Sequence, residues 1–236
     1  ARGNNFGFYI TPTNTGAWNG QGTTQNIQSG ALTITKSSTS PATGNITKGD
    51  SRLLGVFDFT NNGEAAQITQ VKVVFTETEN SGSDLDMASS TTSDDITNAV
   101  IRNMATGSIM GGPNSVVGTA ADVGDATFTD VFELPVGTTK IGVYATLGTS
   151  FAASDTVVVA IKTPGSSITA KGLNSNNTIT ATPSTSVSAN TLTVKAGALA
   201  ATTLTQPAAR NIVPGASDYV WATASLSAAN SGEAVD

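Results

Sequence analysis

Residues 127–147 read Thr-Phe-Thr-Asp-Val-Phe-Glu-Leu-Pro-Val-Gly-Thr-Thr-Lys-Ile-Gly-Val-Tyr-Ala-Thr-Leu. Phe128, Phe132 and Leu134 share one parity, as do Ile141, Val143, Ala145 and Leu147. A period of two is the mark of strands buried on one face. Pro135-Val136-Gly137-Thr138 lies between the two runs and supplies turn chemistry, so the sequence predicts a hairpin here. Working outward, similar short runs occur at Leu53–Phe59, Ile68–Thr76, Thr156–Ile161, Thr178–Thr182 and Thr191–Lys195. They are rich in β-branched or aromatic residues and bounded by Gly, Pro, Asn and Ser. Ser93–Met104 fits a capped helix or a strand over Ala99–Met104, and its all-β surroundings favour the strand. The fold class expected is all-β: an immunoglobulin-like β-sandwich with Greek-key connections, in tandem modules. A module of about 160 residues exceeds the ~100 of an immunoglobulin domain. Extra strands or a long loop are therefore expected within residues 78–125.

The tandem organisation comes from a repeat. Pro41-Ala-Thr-Gly-Asn-Ile-Thr-Lys-Gly-Asp-Ser51 returns as Pro207-Ala-Ala-Arg-Asn-Ile-Val-Pro-Gly-Ala-Ser217. Each follows a Gly-Ala-Leu, at Gly30–Leu32 and Gly197–Leu199, and each leads to Asn-x-Gly-Glu-Ala, at Asn61–Ala65 and Asn230–Ala234. Chance matches are cheap for Ser, Thr, Ala and Gly; Pro, Asn, Ile and Glu in one order are not. So long a period means tandem domains and not a solenoid of short repeats. The expected division is an N-terminal extension over 1–30, a whole module over 31–192, and the opening strands of a second, incomplete module over 193–236.

Composition narrows function. Eleven Lys and Arg face 17 Asp and Glu, a formal net charge of -6, which disfavours nucleic acid because phosphate binding needs a basic face. Charged residues are 12% of the chain, while Ser and Thr number 24 and 38. A surface solubilised by hydroxyls fits secreted and cell-surface proteins. No apolar run approaches the ~20 residues of a membrane span. With no Cys and no His, neither disulfides nor Ser-His and Cys-His nucleophile arrangements can form within the chain. No phosphate-cradling glycine loop or Gly-x-Ser-x-Gly occurs either. The expectation is a protein that is not an enzyme and needs no cofactor, calcium excepted.

Three sets of residues are candidate sites. Asp84, Asp86, Asp94 and Asp95 lie in the acidic stretch 77–95, which has no basic residue, and hard oxygen ligands on a loop suit calcium. The stretch lacks the glycine and closing glutamate of an EF-hand loop, and a solvated acidic loop is the plainer reading. Asn45 and Asn176 begin Asn-x-Thr glycosylation patterns, although two in so Asn- and Thr-rich a chain are near chance. Phe6, Phe8 and Ile10 alternate near the N-terminus. They could form a donor strand that completes a neighbour's sheet, a strand on their own module, or the tail of a preceding repeat.

The order Leu32-Thr-Ile-Thr35, Ser40-Pro-Ala42, Asn45-Ile46, Gly49, Phe57-Asp-Phe59, Gly63-Glu-Ala65, Ile68-Thr69 resembles tandem immunoglobulin-like modules of prokaryotic surface-layer and extracellular filament proteins. That resemblance covers roughly residues 31–236 and assigns no functional residue. It implies a scaffold outside the cell, a homopolymer whose partners are copies of itself. Two alternatives stand beside it. One is an adhesin or carbohydrate-binding module, for which Trp18, Tyr219 and Trp221 are the aromatic candidates. The other is a viral capsid or fibre protein.

Overall fold

The structure, a computed structural model, describes residues 30–80, 95–195, 199–215 and 217–228. Among these residues it is nearly all β, with 56% strand and 2% helix. A six-stranded sheet runs in the order Ala181–Thr182 (β14), Ala31–Lys36 (β1), Gly49–Asn62 (β3), Gly137–Leu147 (β10), Ile96–Asn103 (β5) and Ile109–Asn114 (β6). A ten-stranded sheet is built on Ala66–Thr78 (β4). Val123–Phe128 (β8) and Phe132–Leu134 (β9) pair with β4, as do Thr156–Ile161 (β11) and Ile168–Gly172 (β12). Gly44–Ile46 (β2), Val117–Ala120 (β7), Thr178–Ile179 (β13), Val187–Ser188 (β15) and Leu192–Val194 (β16) complete it. One turn of helix, Pro164–Ser167 (α1), precedes β12.

Both sheets contribute to one hydrophobic core. Its largest fully buried side chains are Phe57, Phe59, Phe75, Phe128 and Phe151. The sheets approach closely at Gly55, where a Cβ would lie 2.7 Å from both the Ala189 Cβ and the Val159 Cγ2. These features are consistent with an all-β sandwich. Of the segment Ser93–Met104, Ile96–Asn103 forms the strand β5, whose Ile96, Ala99 and Ile101 are buried. Within 78–125 the described residues form β5, β6, β7 and the start of β8; residues 81–94 lie outside the described residues.

The predicted hairpin is not one. β9 pairs with β4 in one sheet, while β10 lies between β3 and β5 in the other. Pro135-Val136 is therefore a corner between sheets. Alternation identified which side chains turn inward; it carries no information about which strand lies alongside. The first run is itself two strands, β8 and β9. Val71 faces Phe128 and Ile68 faces Phe132. Four steps thus oppose three, and the extra residue is taken up at 129–131, as in a bulge.

The path of the chain gives the module two poles. β3 has 14 residues and rises about 43 Å over its 13 steps of about 3.3 Å. At its Asn62 end the chain enters: Ala31 pairs with Asn62, and a Cβ on Gly30 would touch Ile179. At its Gly49 end the chain leaves. Lys48 Nζ donates to Phe151 O at 3.0 Å, and Gly49 faces Leu147. There Lys195 N donates to Ile46 O at 2.8 Å and Val194 N to Asp155 O at 2.7 Å.

Several edge strands of these sheets are short or interrupted. The edge strands β13 and β14 have two residues each, β2 has three, and β6 carries Pro113. Short or proline-bearing edges are poor templates for further pairing.

Candidate assembly surface

The repeated Asn-x-Gly-Glu-Ala motif has a structural task at the pole where the chain enters. Asn61 is fully buried, and its Nδ2 donates to Glu64 O at 2.7 Å and Leu134 O at 3.2 Å. Gly63 holds φ +90°, a conformation that side chains resist. The Glu64 carboxylate accepts from the N–H groups of Asn174 and Ser175, both at 2.9 Å, and from Ser175 Oγ at 2.6 Å. These bonds favour the charged form. The Ser175 hydroxyl leads, then the Ser175 N–H; desolvation opposes them, and the N–H groups of Asn174 and Gly30 add smaller contributions, so that the Glu64 carboxyl is held below its usual value. The motif thus ties the first strands of the module to the β12–β13 turn near its end. The sequence showed the motif as a repeat signal, but the partners outside the motif lie 73 to 111 residues away.

A lowered folded value means that this contribution is present above the ordinary glutamate range and is lost as pH falls through the folded value. Glu64→Gln should therefore lower the melting temperature slightly at pH 7. That difference should vanish in acid, as a thermal-melt series across pH would record.

Beyond the module lies a second unit, the ribbon of Ala200–Thr203 (β17) and Ala224–Ser227 (β18). Its register copies the first strands of the module. Ala200 faces Ser227 and Ala201 faces Leu226. Subtracting 167 from each number gives Thr33 facing Thr60 and Ile34 facing Phe59, which are pairs of β1 and β3. The environments differ. Leu32, Leu54 and Phe59 are each 1% exposed, whereas their counterparts Leu199, Trp221 and Leu226 are 54%, 77% and 68% exposed. Leu204, Val213 and Val220 are exposed beside them. Tyr219 meets Trp221 edge-on at 5.4 Å, and the Arg210 guanidinium lies over the Tyr219 ring at 4.9 Å while donating to its hydroxyl. Both strands of the ribbon are exposed along their full length.

The other predicted site residues are dispersed. Asp95 is buried at the start of β5, where its carbonyl accepts from Gly148 N at 2.7 Å. Asp84, Asp86 and Asp94 lie outside the described residues. Among the described residues no three acidic side chains gather to hold a metal ion. Sequence reading passed over Asp155, a buried carboxylate held by Asn80 N at 3.0 Å and Ala152 N at 2.7 Å. Asn45 is exposed on β2, and Asn176 is exposed in the β12–β13 turn at φ 58°. Phe6, Phe8, Ile10 and Trp18 lie outside the described residues. No described helix is long and apolar enough to cross a membrane.

Comparison with known proteins finds no matching family model and no similar curated sequence.

Proposed function

We propose that this chain is a structural subunit of an extracellular filament or surface layer, built from immunoglobulin-like modules joined end to end and assembled through β-strand pairing. It performs no catalysis, and its partners are further copies of itself. The observation that carries the reading is the pair of poles: the chain enters the module at one end of its longest strand and leaves at the other. Such a module transmits length along an array. The ribbon supports the same reading, because it repeats the register of β1 and β3 while leaving the equivalent core positions open. An apolar surface of this kind marks an interaction site, and a ribbon that among the described residues forms a sheet of only two strands invites further strands. Negative-stain electron microscopy of the full chain at neutral pH should show ordered filaments or sheets. Uniform single particles at every concentration would contradict the proposal.

Trp221, exposed and edge-on to the half-buried Tyr219, favours a second reading, a carbohydrate-binding or adhesive module, since exposed aromatic faces suit sugar rings. Glycan-array binding by a monomer would promote it.

A further inference from the structure

The outer face of the ten-stranded sheet carries a polar cleft, and the pairing of β4 explains why it is there. Val71 is flanked by Ile168 and Phe128, and Val74 by Ala160 and Asp125. β8 thus runs along one edge of β4, while β11 and β12 share the other in succession. On that shared edge the eight steps from Ala160 to Ile168 oppose only three of β4. The surplus residues cannot join the ladder, and they form Lys162, Thr163 and α1. On the far side β7 folds back on β8, with Ala120 facing Val123. Between these margins lies a cleft of about 540 Å³. Lys72 and Val74 alternate with buried Val71 and Val73 and line its floor beside Asp125. Thr119 and Ala120 border it on one side, and Lys162, Thr163 and Ser166 on the other.

The wall formed by Lys162, Thr163 and Ser166 is fixed by its own bonds. Thr163 holds φ 46°, a left-handed conformation that is an outlier for a β-branched residue. Its Oγ1 donates to Lys162 O at 2.8 Å and lies 2.7 Å from Ser166 Oγ. The buried Ser167 donates its hydroxyl to the same Lys162 oxygen. Ser166 N and Ser167 N donate to Thr163 O at 2.9 and 3.1 Å. Strain held in place by so many bonds is a feature of ligand sites. The charges are unequal as well. Lys72 pairs with Asp125, whereas among the described residues no carboxylate pairs with the exposed Lys162. Two ammonium groups and one carboxylate leave a single surplus positive charge, in a chain of net charge -6.

We infer that this cleft binds an acidic sugar residue, with a uronate carboxylate at Lys162. The site goes beyond the assembly role and does not rest on it. An ammonium donating to a carboxylate makes a strong, charge-assisted hydrogen bond. Sugar hydroxyls donate and accept, and so do the hydroxyls of Thr119 and Ser166. Asp125 meets Lys72 through one oxygen, and a carboxylate has further acceptor positions to offer. Val74, Val123 and Ala120 supply apolar contact for the C–H face of a pyranose ring. The volume falls within the range of about 300–1,000 Å³ usual for small-ligand clefts. An inorganic anion would satisfy the ammonium and leave the hydroxyls and the apolar floor uncovered. The cleft shares no residue with the Tyr219–Trp221 surface.

Equilibrium dialysis reads binding in single chains and in assemblies alike. The full chain should bind trigalacturonate about tenfold more tightly than either the neutral galactose trisaccharide or acetate. Lys162→Ala removes an exposed side chain. It should leave the melting temperature unchanged and weaken trigalacturonate binding about tenfold. Ala120→Lys adds an ammonium on the opposite wall and should tighten binding, a gain that misfolding cannot produce. Trp221→Ala should leave the affinity unchanged. Equal affinity for the neutral trisaccharide or for acetate would overturn the inference. So would loss of binding in Trp221→Ala but not in Lys162→Ala, or no binding of trigalacturonate at all. Filaments formed by a chain that binds no uronate would leave the assembly reading standing.

Discussion

Phe75→Ala should cost the module about 3–5 kcal/mol and lower its melting temperature by roughly 10 °C. Phe75 is fully buried on β4, the strand that pairs with β8 and β9 as well as with β11 and β12. It faces Val159 on one side and Gly124 on the other. The glycine brings no side chain to fill the space that truncation would leave, and β4 cannot shift without disturbing four neighbours. Part of the void would therefore persist, and its lining would lose dispersion contacts. Phe75→Leu retains most of the volume and should cost clearly less. Chemical denaturation of the two variants would read the difference. Equal stabilities would place the weight of the core elsewhere.

Asn61→Asp should be comparably severe at neutral pH, for an electrostatic reason. The amide nitrogen of Asn61 serves two carbonyl oxygens, Glu64 O and Leu134 O, in a fully buried position. Asp is nearly isosteric but removes both donors and sets a negative charge against those oxygens. Breaking buried polar pairing in this way costs about 3–5 kcal/mol. The sign of its pH dependence is fixed. The new carboxyl would be harder to ionise when folded than when unfolded, so the variant should gain stability as pH falls toward the unfolded carboxylate value. Asn61→Leu removes the donors without adding charge. It should cost about 1–3 kcal/mol, with no such pH dependence. Melting curves for both variants across pH would separate the two effects.

What the sequence made legible follows from the physics of strands. Alternation at Phe128, Leu134, Ile141, Val143, Ala145 and Leu147 identified inward-facing residues, since all six are buried, while Phe132, of the same parity, is only half-buried against the core. It failed on the partner, because a corner such as Pro135-Val136 and a hairpin turn draw on the same residue types. The ambiguous segment before Met104 went to strand because β10 and β6 were there to pair with it, a tertiary cause invisible to local pattern. The Asn-x-Gly-Glu-Ala repeat was plain in the sequence. The task of Asn61 and Glu64 was not, since it depends on Leu134, Asn174 and Ser175. The exposed ribbon was foreshadowed only as strands lacking their sandwich. Its register, a copy of that between β1 and β3, is a property of backbone pairing that local pattern does not carry.

If modules join pole to pole as proposed, the axial repeat of any assembly follows from the length of one module. Averaged electron micrographs of filaments or sheets should show a periodicity of about 40–50 Å per module along the axis, set by the length of β3. Assemblies lacking that spacing, or modules packed side by side with their long strands across the axis, would contradict the account.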